Sequence, residues 1–202
     1  MNLPNKITLT RICMIPIFVL VFFLNGVIPF AYGIAAIIFA LAACTDFIDG
    51  HIARSRGLVT NLGKFLDPIA DKVLVSTAMI LILTMKEAIF ASFNVAAEAL
   101  YIATTVCVCI IMARELIISA FRQIAAANGV IMAADKLGKL KTIFQDVAIF
   151  FLIFAGGWAN QASKLDSIFA IVGLVLFAIA TILTIWSGIS YVVKNKQVLK
   201  DA

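Results

Sequence analysis

Charge is what this 202-residue sequence has least of: Asp, Glu, Lys and Arg make up 13% of it, where a soluble domain carries about 25%. With 63% apolar residues and a mean hydropathy of +1.10, that deficit excludes a soluble enzyme, a disordered chain and an ordinary nucleic-acid binder. A net charge of +5 superficially suggests a nucleic-acid partner, but none is expected. The solvent for most of the chain is the lipid bilayer. Cysteine is scarce too: Cys13, Cys44, Cys107 and Cys109 all lie in apolar runs, and Cys107 and Cys109 diverge on a helix. They are read as small hydrophobic residues, which removes a disulfide framework from consideration. Histidine is reduced to His51, beside Gly50 and turned away from the nearby acids, so no His or Cys sits at the spacing zinc needs. No fixed-period repeat and no low-complexity tract is present.

What remains is a series of six runs with little or no charge: 12–24, 29–44, 73–85, 99–113, 147–160 and 167–193. A helical span takes about 20 residues, so the expected architecture is all-α, with six transmembrane helices in a single membrane-embedded domain over residues 1–202. Lys6 and Arg11 precede an apolar run, and Leu41-Ala42-Ala43-Cys44 has the look of a lipoprotein cleavage box. That box lies too far along for a signal peptide of about 15–30 residues. The uncharged stretch 12–44 instead reads as two spans with a turn at Asn25-Gly26, helped by Pro29. Runs two and three are short, and reach spanning length only if their helices continue into the charged segment 46–72.

Of the 16 cations, 14 collect on one side of this arrangement, and only Lys86 and Lys164 fall on the other. The positive-inside rule then places both termini and the two large polar loops in the cytoplasm of a plasma-membrane protein. Residues 1–10 mix Leu3, Ile7 and Leu9 with polar side chains, which predicts an N-terminal amphipathic segment lying on the inner surface. The small-residue face between Gly173 and Ala180 suits packing either within the chain or between chains.

Ionisable groups at membrane depth are costly and mark function by default. Asp46 and Asp49 are three residues apart and Asp67 and Asp71 four apart, so each pair shares a helix face. A short loop around Gly57 folds the two helices into an antiparallel hairpin that sets the pairs opposite each other. Four such carboxylates need protons or cations, and hard oxygen ligands select Mg²⁺, Mn²⁺ or Ca²⁺. Two divalent ions about 3.5–4 Å apart would neutralise them and clamp a diphosphate. Gly50, Ala53 and Gly63 keep the surroundings small, and Arg54 offers a fork for phosphate.

The string Asp46-x-x-Asp49-Gly50-x-x-Ala53-Arg54, eight residues, then Gly63-x-x-x-Asp67-x-x-x-Asp71 resembles the complete signature of the CDP-alcohol phosphotransferase family. The resemblance implies a six-helix, dimeric membrane enzyme that transfers a phosphatidyl or related group from a CDP-linked donor to an alcohol, releasing CMP. It implies further that Asp46, Asp49, Asp67 and Asp71 hold two divalent cations, Mg²⁺ or Mn²⁺, and that Asp71 is the general base. Gly50, Ala53, Arg54 and Gly63 would lie beside the nucleotide and diphosphate of the donor.

A second basic group bears on the alcohol. Arg114 is deep in an apolar run, Arg122 is two turns further on, and Lys139 and Lys141 open the fifth helix. A guanidinium at such depth wants an anion, and convergence of these four on the acid cluster would bind a phosphate carried by the acceptor. The segments 113–122 and 138–142, with the opening Leu3-Pro4-Asn5-Lys6-Ile7-Thr8-Leu9-Thr10-Arg11, resemble those of one subfamily, the phosphatidylglycerophosphate synthases, over residues 2 to about 190. That resemblance implies CDP-diacylglycerol as donor and sn-glycerol 3-phosphate as acceptor. Another phospho-alcohol such as inositol phosphate is the nearest alternative. A small cation transporter is a remote one, opposed by the clustering of the carboxylates at one interface.

Overall fold

The computed structural model describes residues 3–55, 61–127, 136–157 and 165–194, with the side chains of 3, 4, 46–55, 61, 62, 64, 65, 92, 126, 127 and 136 left aside. Its elements are α1 (Leu3–Phe23), α2 (Ala31–Ser55), α3 (Asn61–Thr84), the short α4 (Lys86–Phe90), a 3₁₀ turn (Ala91–Ala96), α5 (Ala97–Ala127), α6 (Lys136–Gly156) and α7 (Leu165–Lys194). Six of these helices are long. As expected, α2 and α3 run on through the charged segment and carry its acids on their ends.

Three stretches are long and apolar enough to cross a membrane by length and composition: Asn5–Phe23, Phe93–Ala125 and Leu165–Lys194. A shorter apolar stretch, Ala31–Thr45, belongs to α2. Large apolar side chains point outward along these helices, including Leu20, Phe23, Ile102, Ile182 and Trp186. An outer surface of this kind is stable against lipid and not against water.

The turn between α1 and α2 falls at the expected place. Gly26 adopts φ +99°, a left-handed conformation that favours glycine. Between α4 and α5 the backbone kinks at Asn94, with φ 48°. Lys86 reaches over this kink to Glu98 at 2.6 Å, and that hydrogen bond raises the lysine's pKa. The pair is exposed and contributes little to stability.

The most extensive packing joins α6 to α7, with α1 against α2 next. On α7 the residues Ala170, Gly173, Phe177, Ala180, Thr184, Ser187 and Tyr191 are buried, at alternating spacings of three and four. That is the seam of helices packed nearly parallel or antiparallel. Gly173 settles the question left open by its sequence: a Cβ there would stand 3.0 Å from the backbone nitrogen of Leu152 on α6, so the small face serves a contact within the chain. The central core is aromatic and aliphatic, with Phe18, Phe22, Phe39, Leu74, Ile82, Leu152 and Phe177 all at most 2% exposed. The buried hydroxyls of Thr104 and Thr181 bond to carbonyls of their own helices, those of Leu100 and Phe177, each at 2.8 Å. Such bonds satisfy these two hydroxyls inside the bundle.

The N-terminus departs from expectation. Residues from Leu3 onward form no separate surface segment but the first turns of α1, and their polar side chains Asn5, Thr8 and Arg11 are buried in the protein. Arg11, counted among the cytoplasmic cations by its position, is fully buried and donates from Nε to the Ala42 carbonyl and to Thr45 Oγ1, both at 3.2 Å. A polar stripe at spacings of three is satisfied by the neighbouring helices and so turns inward.

Because the Gly173 site has no room, replacing it with Val is expected to separate α6 from α7. Overpacking of this kind costs about 1–3 kcal/mol, so the thermal midpoint of Gly173→Val in detergent is expected to fall by several degrees, with Gly26→Ala affected through backbone strain alone.

Candidate active site

Near the basic ends of α3, α5 and α6 these helices enclose a cavity of about 490 Å³. Asp71 and Lys72 of α3 form one wall, Arg114, Glu115, Ser119 and Arg122 of α5 a second, and Lys139, Lys141 and Thr142 of α6 a third. Five cationic side chains therefore face two carboxylates, and the surplus of positive charge in a site walled by low-dielectric protein attracts an anion. Pro68 also lines the cavity and lies inside α3 between Asp67 and Asp71. Lacking an N–H, it leaves the carbonyl one turn earlier without its usual helical partner beside the acids.

Arg114 is held from two helices. Its Nη1 donates to Glu115 Oε1 at 3.2 Å and its Nη2 to Ser187 Oγ on α7 at 3.0 Å. Gly188 makes room for the arginine stem, since a Cβ there would lie 3.2 Å from Arg114 Cγ. Lys141 is buried and donates to the same Glu115 oxygen, so one carboxylate joins α5 to α6. Ser119 bonds back to the Glu115 carbonyl at 2.5 Å and accepts from Lys72, which brings α3 into the same network. Arg122 donates from Nε to Tyr191 Oη at 3.1 Å and stacks with its guanidinium carbon 5.1 Å from that ring's centre. Each anchoring contact leaves further donors of these cations available to a ligand, because a guanidinium carries five and an ammonium three.

Asp67 is turned toward α1, where Thr8 Oγ1 donates to its Oδ1 at 2.6 Å. Asp71, one turn later, faces the cavity. Gly63 is buried one turn before Asp67. Asp46, Asp49, Gly50, His51, Ala53 and Arg54 are on the last turns of α2, which packs on α3, but their side chains lie outside the described residues. Among the described residues no three potential ligands converge. The described donor set, two carboxylates at helical spacing with one already oriented by a hydroxyl, has the hard-oxygen chemistry that suits a hard divalent cation.

A profile described as CDP-alcohol phosphatidyltransferase matches residues 1–187. The chain belongs to the CDP-alcohol phosphatidyltransferase family. Members of that family generally depend on a divalent cation. Among curated relatives, the chain is 37% identical over 211 residues to the CDP-diacylglycerol–glycerol-3-phosphate 3-phosphatidyltransferase of Bacillus subtilis (strain 168), covering 100% of this chain and 98% of that protein. A protein of the same name from Rickettsia bellii (strain RML369-C) is 37% identical over 94% of this chain and 93% of its own length. Another, from Salmonella paratyphi A, is 37% identical over 99% and 98% respectively.

For a CDP-alcohol phosphatidyltransferase chain, the structure brings Asp71, Arg114, Arg122, Lys139 and Lys141 to one cavity and directs Asp67 away from it. Sequence reasoning gave no role to Glu115, Lys72, Ser119, Thr8 or Tyr191. Glu115, Ser119 and Arg122 are four and three residues apart, so helical periodicity already put them on one face. Thr8 and Tyr191 act across 59 and 69 residues, which no local pattern reveals.

Removing Glu115 leaves two cations facing each other, whereas removing Lys141 leaves Glu115 its bond to Arg114; because the carboxylate is partly exposed, each cost falls below the roughly 3–5 kcal/mol of a fully buried pair. Lys141→Met and Glu115→Gln are each expected to lower stability in detergent. The double variant is expected to lose less than the sum, and a double-mutant cycle of unfolding midpoints checks this coupling.

Proposed function

We propose that this protein is a CDP-diacylglycerol–glycerol-3-phosphate 3-phosphatidyltransferase, which transfers the phosphatidyl group of CDP-diacylglycerol to the primary hydroxyl of sn-glycerol 3-phosphate. Full-length similarity to enzymes of that name supports the reading. The observation that carries the acceptor assignment is the cavity beside Asp71, where Arg114, Arg122, Lys139 and Lys141 supply charge and donors for a phosphate monoester. Six spans with the cavity and both termini in the cytoplasm fit this chemistry, since glycerol 3-phosphate and CMP are water-soluble while the donor's tails are not.

In this reading Asp46, Asp49, Asp67 and Asp71 hold two divalent cations, Mg²⁺ or alternatively Mn²⁺, which when bound offset the charge of the donor diphosphate. Gly50, Ala53 and Gly63 leave room for the donor, and Arg54 binds its phosphate. The four acceptor-site cations hold the phosphate of glycerol 3-phosphate, so its free end reaches Asp71. Asp71 takes the proton as the hydroxyl oxygen bonds to the phosphatidyl phosphorus and the bond to CMP breaks. Thr8 fixes the orientation of Asp67 by its hydrogen bond. Positioning contributes more than basicity, because a carboxylate shared with a cation is a modest base. The enzyme works as a homodimer, which mass measurement in detergent checks.

Purified protein with Mg²⁺, CDP-diacylglycerol and radiolabelled glycerol 3-phosphate is expected to form labelled lipid in step with CMP release; label confined to the aqueous phase would sink the proposal. Preference for inositol phosphate in a panel of acceptors would reassign the alcohol. Asp71→Asn is expected to lose about 10²-fold or more in turnover while donor binding persists, whereas Asp46→Asn weakens metal binding itself. Arg114→Leu is expected to raise the Michaelis constant for the acceptor and leave that for the donor unchanged.

Thr8→Val keeps the shape of the side chain and removes its bond to Asp67. Loss of such a supporting contact typically weakens metal affinity about 10–100-fold. Titration of the variant with Mn²⁺, followed by the paramagnetic signal of free ion, is expected to show a weaker site at unchanged folding.

A further inference from the structure

A second, smaller cavity of about 80 Å³ lies one helical turn further from the basic mouth and shares Asp71, Lys72, Glu115 and Thr142 with the larger one. Its deep end is apolar, with Met79 and Met112, except for Ser76 and the carboxamide of Gln145. Gln145 is 4% exposed, and its one hydrogen-bond partner among the described residues is Met79 Sδ, 3.8 Å from Nε2. A thioether is a weak acceptor, whereas a carboxamide offers two donors and a carbonyl oxygen. Burying an amide with so little compensation is unfavourable, and a hydroxyl group entering the small cavity relieves it.

The placement of Gln145 narrows what that hydroxyl belongs to. It stands four residues after Lys141 on the same face of α6, so the phosphate-binding wall and the amide flank Asp71 together. Resting on the acceptor reading above, we infer that Gln145 is a specificity-determining residue that hydrogen-bonds the secondary hydroxyl of the acceptor. With the phosphate of a three-carbon acceptor on the basic wall and its terminal hydroxyl at Asp71, the middle carbon's hydroxyl projects into the small cavity. The ligand class is a phosphate monoester of a vicinal diol, and an acceptor without the second hydroxyl leaves the amide buried and unpaired.

The test compares glycerol 3-phosphate with 3-hydroxypropyl phosphate, which keeps the phosphate and the reacting hydroxyl but lacks the middle one. A site built to bond a hydroxyl rejects the analogue lacking it strongly, so the wild-type ratio of kcat/KM is expected to favour glycerol 3-phosphate by about a hundredfold or more. Gln145→Met, of similar length and without the amide, is expected to reduce that ratio at least tenfold, through loss with glycerol 3-phosphate and little change with the analogue. A variant that slows both acceptors equally overturns the assignment, since a purely structural role does not alter the ratio. Equal use of both acceptors by the wild type also overturns it, and needs no variant to fold. Turnover of neither by the wild type overturns the acceptor reading and this inference with it.

Discussion

A guanidinium and an ammonium held side by side in a low-dielectric interior repel each other and lose their water. In this protein the Glu115 carboxylate offsets both penalties, accepting from Arg114 on its own helix and from Lys141 on α6. Without it the basic wall of the cavity would have to splay or lose protons. Lys72 joins the same network through Ser119, and Arg114 reaches Ser187, so α3, α5, α6 and α7 are tied together by one connected set of polar contacts. The concentration of positive charge beside the acids, and hence the affinity for a phosphate, depends on that carboxylate.

The surrounding helices satisfy a different constraint. Lipid accepts an apolar surface, so hydrophobicity does not distinguish outside from inside as it does in water. Ile102 and Ile182 face outward while Ile111 and Ile153 are wholly buried. What marks the interior is small size at the α7 seam, as at Gly173 and Ala180, and polarity at Thr184, Ser187 and Gln145. Packing and internal hydrogen bonding take over the part that water exclusion plays in soluble cores.

This constraint explains how much was legible in the sequence. The acids Asp67 and Asp71, and the cations Arg114, Arg122, Lys139 and Lys141, stood out because charge is rare in an apolar chain and each group follows helical spacing. The meeting of Asp71 and the four cations at one cavity, and the turning of Asp67 toward α1, rest on how the helices pack, which no local spacing states. The burial of Arg11 was hidden for the converse reason. Near a terminus a cation looks like an anchor, and only the positions of Ala42 and Thr45, more than 30 residues on, show it to be an internal strut. Gln145 drew no notice, because a lone amide on a helix acquires meaning only from the space in front of it.

Arg11 has a consequence for how the chain is made. The groups that receive its Nε, the Ala42 carbonyl and Thr45 Oγ1, both belong to α2. As α1 leaves the ribosome it therefore carries a charged side chain whose Nε acceptors have not yet been synthesised. Partition of α1 alone into lipid is penalised by that arginine, by less than the roughly 2.5–3.5 kcal/mol of a cation at the helix centre because it lies in the first half of the span, until α2 arrives to receive it. The α1–α2 hairpin is the smallest unit that contains both acceptors of the Arg11 Nε, which favours entry of these two helices into the bilayer as a pair.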